Sequence, residues 1–251
     1  LSKRFKTQKN ICVDWAMRYG NPSIKSVMEK LQAQGCTKFL ILPLYPQYAA
    51  STTATVNDEV FRTLMRMRWQ PSVRICPPYE THPLYIKALK NSVTRHLKTL
   101  DWTPERLLVS FHGIPVEYVE KGDPYQTFCE RTFKALQDAL PKGTPKPDIT
   151  FQSPFWPKKW LEPYTEKTLE NLAQSGLKKV ALLAPGFAAD CIETLEELQV
   201  ECAEAFKKQG GTHFTQVPCT NDTPDAIDLY ETLINESLQG YLQEPLAKQS
   251  P

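Results

Sequence analysis

The chain has 251 residues, enough for one large domain or two compact ones. Hydrophobic residues make up 41% and charged residues 23%, the balance of an ordinary soluble globular protein rather than a disordered or fibrous one. A formal net charge of +2 with scattered basic residues gives no electrostatic footprint for nucleic acid. No apolar run approaches the roughly 18 residues that span a bilayer, and the opening LSKRFKTQKN is basic without an apolar signal core. A start on Leu1 rather than Met is what a stretch from inside a longer protein would show. The seven cysteines are odd in number, and no pair has CxxC spacing. That argues against a disulfide framework or a zinc ribbon and for a reducing compartment.

In chain order, short apolar runs alternate with amphipathic stretches. Strands are predicted at 10–16, 37–42, 72–76, 106–111, 148–152, 178–183 and 213–217, and helices near 22–34, 52–68, 82–99, 124–140, 162–175, 190–209 and 224–243. Asn21-Pro22, Asp123-Pro124 and Thr223-Pro224 each read as a side-chain N-cap followed by proline at the first helical position. Gly35, Gly176 and Gly210-Gly211 mark helix ends. Strand–helix alternation predicts α/β architecture, with parallel sheets covered by helices on both faces. A joint at 97–105 splits the chain into two Rossmann-like half-domains, 1–100 and 101–222, with a cleft between them. The final helix, in 223–251, has no strand after it and is expected to pack back on the first half.

In such folds ligands bind beyond the carboxyl ends of the strands. The segments there are MRYGNPS, PLYPQYAASTTA, PPYETHP, HGIPVEYVEKGDPY, SPFWPKKW, APGFAADCIETLEE and PCTND. They are rich in Pro, Tyr, Trp and Phe, which suits a flat apolar ligand, and no phosphate-binding glycine motif occurs. His112 ends an apolar strand and precedes a glycine. It is either a structural hydrogen bonder or a metal ligand and proton acceptor. Glu193 opens the helix after the 178–183 strand, on the same sheet edge; it is either a helix-dipole partner or the carboxylate facing that imidazole. Asp190 suits an N-cap, and Ser51 suits the cap of the helix near 52. Cys191 raises a nucleophile reading, but no cysteine- or serine-hydrolase signature surrounds it. Arg18 can pair a carboxylate while Tyr19 packs on a ring; Tyr45, Trp156 and Trp160 can wall a cleft; simple packing is the competing account of each.

Together, AMRYGNP, LPLYPQYAASTTA, LLVSFHGIPVEYVEKGDPY, FQSPFWPKKWLEPYTEKTLE and PGFAADCIETLEE resemble the ferrochelatases, most closely the Gram-negative bacterial form. The resemblance runs from Ala16 to about residue 240. It implies insertion of ferrous iron into protoporphyrin IX to form protohaem, a lyase reaction, with His112 and Glu193 as metal and catalytic residues. Arg18, Tyr19, Tyr45, Trp160 and Asp190 fall on the porphyrin side. The alternatives are a chelatase for another tetrapyrrole or metal, such as coproporphyrin or cobalt, or a truncated fragment that binds porphyrin without turnover. Where some members carry a second histidine this chain has Cys191, and only Cys219 lies near the C-terminus, so no iron–sulfur cluster and no cofactor beyond substrate Fe2+ is expected. The family's opening strand and NLGTP-like loop have no counterpart here, which implies a first half-domain truncated at its start. A cytoplasmic monomer with weak peripheral contact at the inner membrane is expected.

Overall fold

The computed structural model describes residues 1–8, 10–155 and 157–242, so Trp156 and residue 243 of the last predicted helix lie outside the described residues. The chain divides into two compact units. The first comprises residues 1–43, 50–77 and 227–251; the second comprises 44–49 and 78–226.

In the first unit, β1 (Lys38–Ile41) and β2 (Ser72–Ile75) pair in parallel, Lys38 opposite Ser72 and Ile41 opposite Ile75. Helices α1 (Ile24–Ala33) and α2 (Thr53–Arg66) accompany them. The predicted strand at 10–16 does not form: a strand needs a ladder partner, and the nearest pairing is a single bridge between Met17 and Ser23. Nor does Asn21 cap α1. The Asn21–Pro22 bond is cis, and the cap is Ser23, whose hydroxyl accepts the Ser26 N–H at 3.1 Å. At α2 the cap position falls on Thr52 rather than Ser51, and no side chain caps it.

Helix α8 (Pro224–Leu238) closes this unit. Its last carbonyls have no partners within the helix. Arg74 of β2 supplies them, donating to Ser237 O and Gln239 O, both at 2.9 Å. The same guanidinium lies 4.2 Å over the Tyr241 ring, and Lys38 donates to Tyr241 O at 2.6 Å. A cation at a helix C-terminus also opposes the negative end of the dipole.

The second unit is a four-stranded parallel sheet in the order β4-β3-β5-β6. Its strands are β3 (Arg106–His112), β4 (Lys146–Gln152), β5 (Lys179–Leu183) and β6 (His213–Val217). Residues 107 to 111 of β3 are wholly buried because β3 is central and covered on both faces. Helices α3 (Pro83–Leu97) and α5 (Tyr125–Ala139) pack together. Against the other face pack α6 (Thr165–Gln174), a π-wound segment (Glu193–Glu201) and α7 (Cys202–Lys208), which continues it. The core there joins Leu108, Val180 and Leu182 to Leu169, Leu198 and Phe206. A short helix, α4 (Val116–Glu120), lies within the HGIPVEYVEKGDPY segment.

Helix α3 belongs to the second unit, so the division falls at Pro77 and Pro78 rather than at 97–105. Its ties explain this: Ser92 donates to Pro218 O at 3.0 Å, Asn91 and Arg95 bond Asp225, and His96 meets Thr215 at 2.6 Å. Replacing Arg74 with Ala strips the C-terminal carbonyls of α8 of their donor and should cost about 2 kcal/mol. A lowered thermal midpoint by circular dichroism is expected; an unchanged midpoint would contradict the role assigned to Arg74.

Candidate active site

Strand β3 outruns β5. The two pair only from Arg106 to Val109, whereas β3 continues beside β4 as far as His112 opposite Gln152. His112 therefore sits at the carboxyl edge, past the end of β5, where the loop after β5 has room to turn.

The His112 ring is fixed by its own backbone: Nδ1 lies 2.7 Å from Gly113 O. A carbonyl only accepts, so Nδ1 carries a proton, and in the neutral ring the lone pair is on Nε2. The His112 carbonyl accepts the Tyr125 hydroxyl at 2.9 Å. The indole of Trp160 lies 6.3 Å from the imidazole, centre to centre, with a 51° tilt. The segment around Trp160 is laced to the HGIP loop by Val116 N–H to Lys159 O at 2.9 Å and Leu161 N–H to Ile114 O at 3.0 Å. Gly113 permits this closeness. A Cβ on it would stand 2.9 Å from Gln152 O and 3.1 Å from the Trp160 ring.

Glu193 is the first residue of the π-wound segment. The Cys191 thiol donating to it is the main cause holding its carboxyl below the ordinary glutamate range. Its own backbone N–H adds to that, partial burial opposes it, and charge on His112 pulls the same way. The pair is thus coupled electrostatically. Burial, reinforced by Glu193, pushes the Cys191 thiol up, so it is not the thiolate that a cysteine nucleophile requires.

Asp190 is engaged by its neighbours. Oδ2 accepts from Asn221 at 2.7 Å, and Oδ1 accepts from the Cys219 N–H and the Thr194 hydroxyl, both at 3.2 Å. Asn221, in the left-handed region at φ 47°, accepts the Asp190 N–H in return at 2.9 Å. Burial works against this carboxylate, but those donors outweigh it and hold its carboxyl below the ordinary range. The effect is to pin the start of the π-wound segment to the loop after β6.

Two further anchors escaped the sequence reading. Glu197, one of several acids in DCIETLEE, accepts the Ser153 N–H at 2.8 Å and its hydroxyl at 2.6 Å, and Ser153 adopts φ 57°. Gln47 is 2% exposed and donates to Thr132 at 2.8 Å and to the Tyr85 hydroxyl at 3.2 Å. Tyr85 in turn donates to Pro185 O at 2.6 Å. Gln47 thereby fastens the 44–49 segment, which carries half-buried Tyr45, to the second unit. The visible signal is a lone amide between tyrosines in PLYPQY.

His112, Trp160, Asp190, Glu193 and Tyr45 all belong to the second unit, whereas Arg18 and Tyr19 belong to the first. Arg18 lies over the ring of Tyr19 at 4.3 Å, and its buried Nε has no hydrogen-bond partner among the described residues. Among the described residues no three His, Cys, Asp or Glu side chains converge closely enough to hold a metal ion. Adding a methyl at Gly113 should lower stability by about 1–3 kcal/mol and shift tryptophan emission, since the nearest ring is Trp160. Retained stability with unchanged emission would show that the contact is loose.

The ferrochelatase family profile matches residues 1–238. Ferrochelatase of Agrobacterium fabrum is 51% identical over 242 residues, 96% of this chain and 70% of that protein. Ferrochelatase of Allorhizobium ampelinum is 53% identical over 233 residues, 93% of this chain and 68% of that protein. Among solved structures, SirB from Bacillus subtilis with Fe3+ superposes with a TM-score of 0.68 at 14% identity, covering 94% of this chain and 86% of SirB. CbiX, the terminal enzyme for sirohaem biosynthesis in denitrifying bacteria, gives a TM-score of 0.52 at 18% identity over 82% of this chain and 77% of its own. These two likenesses speak to the chelatase fold; the sequence matches decide the family, and the chain belongs to the ferrochelatases.

Proposed function

We propose that the chain inserts ferrous iron into protoporphyrin IX to give protohaem, with His112 and Glu193 at the reacting centre. The observation that carries this is the His112 hydrogen bond: Nδ1–H is spent on Gly113 O, so the neutral ring keeps its lone pair on Nε2, and Glu193 is coupled to the same ring electrostatically. The reaction exchanges two pyrrole protons for one Fe2+. Nε2 can accept a proton or present the ion, and an ionised Glu193 can take a proton onward or share the ion. Two protein donors suit a metal that must leave, since a closed three- or four-ligand site would retain its cargo. Fe2+ enters here as substrate; no resident cofactor is proposed.

Tyr45 and Trp160 are the proposed apolar grip on the macrocycle; within the first unit, the buried Nε of Arg18, partnerless among the described residues and beside the Tyr19 ring, is a donor suited to a carboxylate. Asp190 acts in this scheme by holding the Glu193 segment in place. The chain is proposed to work as a cytoplasmic monomer in weak peripheral contact with a membrane. Among the described residues, no helix is long and apolar enough to cross one.

Anaerobic iron insertion, followed by loss of porphyrin fluorescence, tests the reading. His112→Ala should lower turnover by about a hundredfold or more while leaving the circular dichroism spectrum unchanged; near-normal turnover would refute the assignment. Because Glu193 is held below the ordinary carboxylate range, it stays ionised from neutral pH down through about pH 4.5. Glu193→Gln should therefore lower the plateau of the pH–rate profile without moving an acid limb that lies above about pH 5. A limb that disappears in that variant would show that Glu193 titrates there instead.

A further inference from the structure

Two thiols of the first unit lie side by side, away from the residues proposed to react. All seven cysteines fall among the described residues: Cys12 is exposed, Cys36 and Cys191 are half-buried, and the other four are buried. Cys12 belongs to the 10–16 run, which forms no strand. Cys36 follows α1, in a turn where its N–H donates to Leu31 O at 3.1 Å and Gly35 takes φ 93°. Two side-chain contacts hold the run against that same end of the helix. Asp14 accepts from Lys30, in the last turn of α1, at 2.8 Å. Cys12 and Cys36 share a hydrogen bond between their thiols. Partial burial, and after it the Cys12 contact, push the Cys36 thiol up, so it stays protonated at neutral pH while the exposed Cys12 meets solvent.

We infer that Cys12 and Cys36 form a redox latch: hydrogen peroxide oxidises Cys12, Cys36 closes the disulfide, and the 10–16 run becomes tied to the end of α1. The steps balance. The Cys12 thiol and one peroxide molecule give a sulfenic acid and water; the Cys36 sulfur then attacks the Cys12 sulfur, its proton leaves with the departing hydroxide as a second water, and the S–S bond forms. A thiol reductant reverses this by exchange at the exposed Cys12 sulfur. Disulfides of a reducing compartment are typically of this transient, sensing kind. The closed loop runs from Cys12 to Cys36 and includes Arg18 and Tyr19, so oxidation restricts the segment that carries both.

The test treats the whole chain with a stoichiometric amount of hydrogen peroxide, alkylates the remaining thiols and maps the peptides by mass spectrometry. A peptide cross-linked between Cys12 and Cys36, lighter by two hydrogens and released by dithiothreitol, is expected. Loop closure should raise the thermal midpoint of the oxidised chain by about 5 °C, and trypsin cleavage after Arg18 should slow about tenfold. Cys12→Ser and Cys36→Ser should each remove the cross-link, the midpoint shift and the protection. Two thiols that both remain open to alkylation, a sulfinic acid on Cys12 beside a free Cys36, a disulfide between two chains, or one joining another pair of cysteines would each overturn the latch. A cross-link between Cys12 and Cys36 that leaves midpoint and cleavage unchanged would show a bond that restrains nothing, and would overturn it too. None of these readouts uses iron insertion, so the latch and the proposed function stand or fall separately.

Discussion

Because β3 lies between β4 and β5 and is covered on both faces, residues 107 to 111 have no access to water, and the one polar side chain among them, Ser110, is satisfied by Gln152 and Thr165. The first position at which an ionisable group is tolerated is its end. There β5 has already stopped, and His112 is carried past it on a rigid support. The position of the imidazole follows from the length difference between two neighbouring strands, and its neutral tautomer from one carbonyl. The scaffold sets both before any ligand arrives, which is what a reaction sensitive to small misplacement requires.

The loops around that histidine are held by polar side chains rather than by apolar packing. Asp190 and Asn221 bond each other reciprocally, Glu197 takes both donors of Ser153, and Gln47 ties PLYPQY to Thr132 and Tyr85. Hydrogen bonds of this kind fix direction as well as distance. They let irregular segments keep a defined shape where a binding surface must stay open. Glu193 and Glu197 show a division of labour: one carboxylate accepts from Cys191 and is coupled to His112, while the other, one turn along, is committed to holding the loop that leads to Trp160.

Much of this was legible in the residues. Six of the seven predicted strands form, since each is an apolar run with neighbours to pair with, and His112 and Glu193 emerge at the expected sheet edge. The run at 10–16 has the same apolar character yet stays unpaired, because strand formation depends on a partner that local pattern cannot reveal. The Asn21-Pro22 cap fails for a related reason: Ser23, two residues on, satisfies the helix N–H instead. The π-winding of Glu193–Glu201 has no signature in its sequence. Glu197 could not be told from Glu193 or Glu196 by type or spacing; only its contact with Ser153, 44 residues away, separates them.

The first unit is assembled from the beginning, the middle and the end of the chain, with Arg74 of β2 bonded to carbonyls that arrive 163 and 165 residues later. The second unit is almost continuous and can close once residue 226 has been synthesised. During translation the first unit must therefore wait, with the edges of β1 and β2 and the seat of α8 uncovered, until the whole second unit has emerged. Its pairing carries a high loop-closure cost and should be the slower step. The fold thus gives synthesis an order: the part bearing His112 and Glu193 can close first, and the other unit is completed only when α8 has emerged.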